Sequence, residues 1–129
     1  MKNDLTTLAG RILLAAIFIW SGYAKLSHYD YMQGYMVSLG LPGWSMPFII
    51  LWELGGGLAM LFGFLTRPVA VLLALFCVIS AGVAHYHPTD QMQMINFMKN
   101  LSMAGGFLFV AVHGAGALSL DQQFKLKWR

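Results

Sequence analysis

The chain has 129 residues, about one domain, and is 58% hydrophobic but only 10% charged, against roughly 25% charged in an ordinary soluble domain. So few charged side chains cannot cover the surface of a small soluble monomer, and high hydrophobicity with low charge excludes intrinsic disorder. The net charge of +3 comes without a folded basic patch interleaved with aromatics, which excludes a nucleic-acid partner, and the single Cys77 excludes an intrachain disulfide scaffold, a zinc ribbon or a C-x-x-C redox pair.

A mean hydropathy of +0.65 directs the reading towards a lipid bilayer. The first apolar run, residues 5–26, contains ILLAAIFIW and has no A-x-A cleavage site, so it reads as a retained span. Residues 28–44 form a longer link. Within it Tyr31, Met32, Tyr35, Met36 and Leu39 recur at helical spacing, which predicts a short amphipathic helix on the membrane interface, ended by Gly40. A second span covers residues 46–65. Thr66-Arg67-Pro68 then makes a tight turn, with Pro68 suited to a first helical turn, and a third span covers 69–86. His87-Pro88-Thr89-Asp90 breaks the chain before a fourth span at 95–118. Each run is near the roughly 20 residues that cross a bilayer as a helix, the form that pairs every backbone group internally. The expected fold is an all-α integral membrane four-helix bundle with a short interfacial amphipathic helix between helices 1 and 2, as one domain over 1–129.

With four spans, both termini and the 66–68 turn share one side. That side carries Lys2, Arg11, Arg67, Lys125, Lys127 and Arg129; the other has only Lys25 and Lys99. This asymmetry predicts cytoplasmic termini. Trp44 and all five tyrosines, at 23, 29, 31, 35 and 86, then fall near the outer boundary as an aromatic belt.

The ionisable residues inside the spans are the candidate site. A charge at mid-bilayer costs about 2.5–3.5 kcal/mol on insertion scales and needs a partner or a polar cavity. Arg11 and Lys25 are about four turns apart in the first span and project from nearly one face. Glu53 lies at intermediate depth in the second. Lys99, flanked by Asn96 and Asn100, and His113 repeat the same spacing in the fourth. The simplest arrangement turns these faces inward, with Glu53 as the only anion among Arg11, Lys25 and Lys99. Two readings follow. Either a Glu53–Arg11 or Glu53–Lys99 pair only locks the bundle, or the seam is an intramembrane polar pocket. Lys25 and Lys99 also lie near helix ends, from which they can snorkel to the interface.

Gly55, Ala59 and Gly63 repeat every four residues, a stripe that predicts close helix packing, and Gly105-Gly106 thin the fourth span. His85 is a secondary candidate beside His113. His85-x-His87 with Asp90 lacks the further ligands a metal centre needs, so no metal is expected. The methionines and Cys77 read as apolar packing.

These segments carry a resemblance over essentially the whole chain. A-G-R-I-L-L-A at 9–15, S-G-Y-A-K-L at 21–26, L-W-E-L-G-G-G-L-A-M-L-F-G-F-L-T-R-P at 51–68, N-F-M-K-N-L-S-M-A-G-G-F-L at 96–108 and G-A-G-A-L-S-L-D at 114–121 resemble the DoxX family of small inner (plasma) membrane proteins of bacteria. The family's Arg, Lys, Glu, Lys and Asn positions fall on Arg11, Lys25, Glu53, Lys99 and Asn100. The resemblance implies a four-helix membrane protein and, from some members, a subunit of a quinone-linked oxidoreductase. The chain has no flavin, haem or iron–sulfur motif, so no covalently bound cofactor is expected. The role implied is an accessory subunit with a quinone or anion pocket, whose partners are the bilayer and another membrane or peripheral redox subunit. The alternatives are a small homo-oligomeric transporter and a structural assembly protein.

Overall fold

Backbone N–H and C=O groups in hydrocarbon must be paired within the chain, and the apolar runs accordingly fold as helices. The computed structural model describes residues 2–127. Its elements are α1 (Lys2–Ser27), α2 (Tyr29–Ser38), α3 (Gly43–Phe62), α4 (Thr66–His85), α5 (Gln91–His113) and a single turn, α6 (Leu120–Gln123). No strand occurs among the described residues. Helices α1, α3, α4 and α5 are each long and apolar enough to cross a membrane, and they run alternately up and down, so the all-α four-helix bundle expected from the sequence is the fold.

Helix α2 occupies the expected link. Its Met36 is buried with Met46 and Ile50 of α3, while Tyr31 and Val37 stay exposed. It stops where Gly40 takes φ +88, with Leu41 N–H donating to Met36 O (3.1 Å) and Gly40 N–H to Val37 O (3.0 Å). This is the paired closure of a Schellman end, and Met36 and Leu41 supply its apolar contact.

The same device corrects the second boundary. Helix α3 ends at Phe62, three residues before the expected 65, because Gly63 adopts φ +69. Phe64 N–H then donates to Ala59 O (2.8 Å) and Gly63 N–H to Met60 O (3.3 Å). The turn is therefore 63–65, and 66–68 is already the first turn of α4, with Pro68 inside it. Helix α5 starts earlier than 95, at Gln91, where the Asp90 carboxylate accepts from Gln93 N–H (3.3 Å). It ends at His113, so 114–118 lies outside the span and leads into α6.

The core is Ala15 and Phe18 of α1, Met60 of α3, Ala70, Leu73, Ala74 and Cys77 of α4, and Ala104 and Phe107 of α5. Cys77 is a free, fully buried thiol packed in that core. Of the expected Gly55–Ala59–Gly63 stripe, Gly63 is tightly enclosed, by Ser119 and Arg11, but the α1–α3 seam is built on other glycines. A Cβ on Gly57 would lie 3.0 Å from Ile19 Cγ1 and 3.1 Å from Phe18 Cβ, and one on Gly22 would lie 2.8 Å from Leu54 Cβ. A Cβ on Gly55 would meet only Leu51 of its own helix, at 3.5 Å. Gly22 and Gly57 thus bring α1 and α3 together. Gly57→Val is expected to destabilise the bundle by about 1–3 kcal/mol through overpacking, whereas Gly55→Ala is expected to leave the thermal midpoint in detergent unchanged.

Candidate functional site

At the end of the bundle that carries α2, the four long helices enclose a cavity of about 530 Å³. Its walls are mainly apolar, from Phe18, Met36, Ile49, Phe76 and Met103 among others, and its polar side chains are Ser21, Lys25, Tyr35, Ser45, Trp52, Glu53, Ser80, His85, Asn96, Lys99 and Asn100. Trp52, Phe76, Phe18 and Phe107 form a chain of edge-to-face ring contacts, with centroids 5.1, 5.9 and 5.5 Å apart, beside and beneath it.

The centre of the polar group is an ion pair. Lys25 Nζ lies 2.7 Å from Glu53 Oε1 and donates to Ser21 Oγ at 2.9 Å, with both charged side chains almost fully buried. The second carboxylate oxygen, Glu53 Oε2, is buried and has no hydrogen-bond partner. Of the three cations that the sequence set around Glu53, the partner is Lys25, not the Arg11 or Lys99 of the helix-lock reading, and Lys25 is held inside rather than snorkelling. Asn96 and Asn100 are half-buried in the wall opposite, Asn100 Nδ2 donating to Asn96 O (3.2 Å), and Lys99 is exposed beside them. His85 joins the cavity wall, its Nδ1 2.8 Å from Gln93 Oε1, which ties the end of α4 to the start of α5.

Local backbone geometry positions these groups. Residues Leu51–Gly55 of α3 and Ala81–His85 of α4 are wide π-type turns, and Glu53 and His85 each sit on one. Such turns add a residue to the helical repeat and re-aim the side chains they carry; they recur at functional sites.

Arg11 lies elsewhere. At the opposite end its buried guanidinium donates to Met60 O (3.1 Å), to Leu61 O (3.2 Å) and to Leu118 O. Met60 and Leu61 are in the last turn of α3, whose terminal carbonyls have no acceptor role within the helix, so Arg11 caps that end with the favourable sign of charge. Two further helix ends are closed in the same way. Arg67 donates to Ala111 O (3.2 Å) and Val112 O at the end of α5. The fully buried carboxylate of Asp121 accepts from Leu65 N–H (2.6 Å) and Thr66 N–H (2.8 Å) at the start of α4. His113, stacked on Phe109, is also at this end and outside the cavity.

The sequence candidates thus divide. Lys25, Glu53, Asn96, Lys99, Asn100 and His85 share one cavity, while Arg11 and His113 do not belong to it. Sequence reasoning passed over Ser21, Ser80 and Trp52 in the cavity wall, and Asp121 at the far end. Ser21 lies one turn before Lys25 on the same face, a signal that was available. Among the described residues no three His, Cys, Asp or Glu side chains come together as a metal-type cluster.

The family model named DoxX matches residues 6–86. The chain is similar to the inner membrane protein YqjF of Escherichia coli (strain K12), at 43% identity over 98% of this chain and 97% of the relative. It is also similar to the inner membrane protein YphA of the same organism, at 37% identity over 90% of this chain and 88% of the relative. No solved structure matches the chain.

Proposed function

The chain belongs to the DoxX family, and we propose that it acts as an inner-membrane accessory subunit whose cavity receives the head of a quinone in a membrane redox system. The observation that carries this reading is Glu53 Oε2: a buried oxygen without a partner, on the wall of a 530 Å³ cavity. A carboxylate that served only to lock helices would be enclosed by packing, and an unmatched buried acceptor is costly unless a donor arrives. The cavity has the size and the apolar walls with few convergent polar groups typical of small-molecule sites.

In this reading the chain's own residues bind and orient. Lys25 holds Glu53 Oε1 in the ion pair, Glu53 Oε2 accepts from a hydroxyl of the reduced ring, and the Lys99 ammonium and the Asn96 and Asn100 amides donate to ring oxygens. The bound quinone would supply two-electron, two-proton carrier chemistry. A conduit through one chain is disfavoured, because beyond Phe18 and Phe76 the interior is filled by Leu73, Cys77, Met60 and Phe107.

The test uses a chain in which Trp20, Trp44 and Trp128 are replaced by Phe, leaving Trp52 as the reporter in lipid nanodiscs. Titration with the tail-less 2,3-dimethoxy-5-methyl-1,4-benzoquinone, kept throughout in its quinol form under anaerobic reductant so that it carries the ring hydroxyls that Glu53 Oε2 accepts from, is expected to quench its fluorescence saturably. The Asn96→Leu/Asn100→Leu variant is expected to bind at least about tenfold more weakly, about 1.4 kcal/mol. Strictly linear, collisional quenching would sink the reading.

The six-to-two distribution of Lys and Arg supports a topology in which the termini, and with them the Arg11–Asp121 end, face the cytoplasm. A C-terminal green fluorescent protein fusion is expected to fluoresce and an alkaline phosphatase fusion to be inactive; the reverse pattern would invert the topology.

A further inference from the structure

Trp52 borders two spaces. On one side it lines the cavity that holds Glu53; on the other it lines a groove of about 430 Å³ between α3 and α4, walled by Leu51, Gly55, Gly56, Val69 and Leu72 among others. Its indole Nε1 donates to Leu72 O (3.0 Å) across the two helices, and its ring meets Phe76 edge-on. Apart from that indole, the side chains lining the groove carry no hydrogen-bonding group. The groove opens on the bundle's outer surface, where Leu51 and Leu72 are exposed. Its floor is bare at Gly55, where an added Cβ would meet only Leu51.

We propose that the apolar tail of the molecule whose head binds at Glu53 leaves the bundle past Trp52 and lies in this groove. The site then takes an amphiphile with a head and a long hydrocarbon chain, not a compact polar solute. The inference rests on the reading of the cavity as a head-group site. Towards Arg11 the interior is closed by the core of Leu73, Met60 and Phe107. Towards α2 and α5 the wall mixes apolar Met32, Met36 and Leu39 with Tyr35, His85, Asn96 and Lys99, so hydrocarbon there lies against polar groups that it does not match. Between α3 and α4, Trp52 lines both spaces and separates the cavity from the groove, whose other side chains are apolar and which opens on the outer surface. The wide turn at Leu51–Gly55 places Glu53 inside and Leu51 and Gly55 outside at the same level, so head site and groove adjoin.

Lipid competes for a hydrocarbon tail on nearly equal terms, so tail position rather than affinity is the decisive readout. The experiment uses the full chain in nanodiscs, a decyl benzoquinone carrying a diazirine in its chain, and the tail-less benzoquinone in parallel. Photolysis and peptide mapping are expected to place the label on Leu51, Val69 and Leu72, with excess tail-less benzoquinone reducing it at least about fivefold. Gly55→Leu and, independently, Val69→Phe are expected to remove the groove labels while tail-less binding stays within about twofold of the parent. Saturable tail-less binding with labels on α1, α2 or α5 instead overturns the tail assignment and leaves the head site standing. Absence of saturable tail-less binding overturns both. Groove labelling that persists in both filled variants, or that excess tail-less benzoquinone does not reduce, shows lipid-phase contact only and overturns the assignment.

Discussion

Glu53→Gln is expected to weaken binding of the tail-less benzoquinone in its quinol form, whose ring hydroxyl donates to Oε2, by at least about tenfold and to lower the stability of the bundle. The substitution keeps the shape of the side chain and one acceptor beside Lys25 Nζ, now 2.7 Å from Oε1, but deletes the charge. Lys25 is then an almost fully buried ammonium held only by neutral acceptors, Ser21 Oγ among them. Removing one partner of a buried pair costs about 3–5 kcal/mol, and the retained acceptor puts Gln at the lower end. Adding Lys25→Met removes the uncompensated charge and is expected to restore most of the thermal midpoint, because a buried pair exchanged for neutral groups is often near neutral. Binding is not expected to return in full, since a neutral amide oxygen accepts from a ring hydroxyl more weakly than the carboxylate does. Recovery of stability and binding together would reduce the pair to a helix lock. A Glu53→Gln protein equal to the parent in both would make Glu53 a protonated bystander.

Asp121→Asn is expected to destabilise the protein by about 2–4 kcal/mol while leaving the head-group cavity intact. Asp121 uses both oxygens, one on Leu65 N–H and one on Thr66 N–H, and its own N–H donates to Gly63 O (2.8 Å). Asn retains a single oxygen and turns an NH₂ towards a buried donor, and an unsatisfied buried group costs about 1–3 kcal/mol. Leu65 adds to this, because it holds the left-handed conformation (φ +49) only with its N–H engaged. Loss of an anion from the start of α4 removes a further few tenths to 1 kcal/mol. Thermal unfolding in detergent reads the effect, and the benzoquinone titration supplies the contrast: affinity is expected within about twofold of the parent at temperatures where the variant is folded. Parental stability, or lost binding in a stable variant, contradicts the assignment of Asp121 as a helix cap.

The four spans, the short helix before Gly40 and the alternating direction of the chain follow from local properties: about twenty apolar residues in succession, helical spacing, and glycine where a helix must close. These depend on neighbours within a few turns, so they are written in the order of residues. The gathering of Lys25, Glu53, Asn96, Lys99 and Asn100 was also legible, because intramembrane polar groups must turn inwards, although the sequence set Arg11 among them and His85 only beside them as a secondary candidate. Partner choice was not. Arg11 and Lys25 project from nearly one face of α1, yet one caps α3 at one end and the other pairs with Glu53 near the opposite end. Helical period specifies direction around an axis and leaves height and partner to the packing of other helices. The wide turn at Leu51–Gly55 alters even that direction, and nothing in L-W-E-L-G announces it. Asp121 reaches the start of α4 from the far end of the chain, a contact that exists only once Gly114 has ended α5 and the chain has folded back. Helix ends in a bilayer must be satisfied by something; which side chain does so was decided by the tertiary structure.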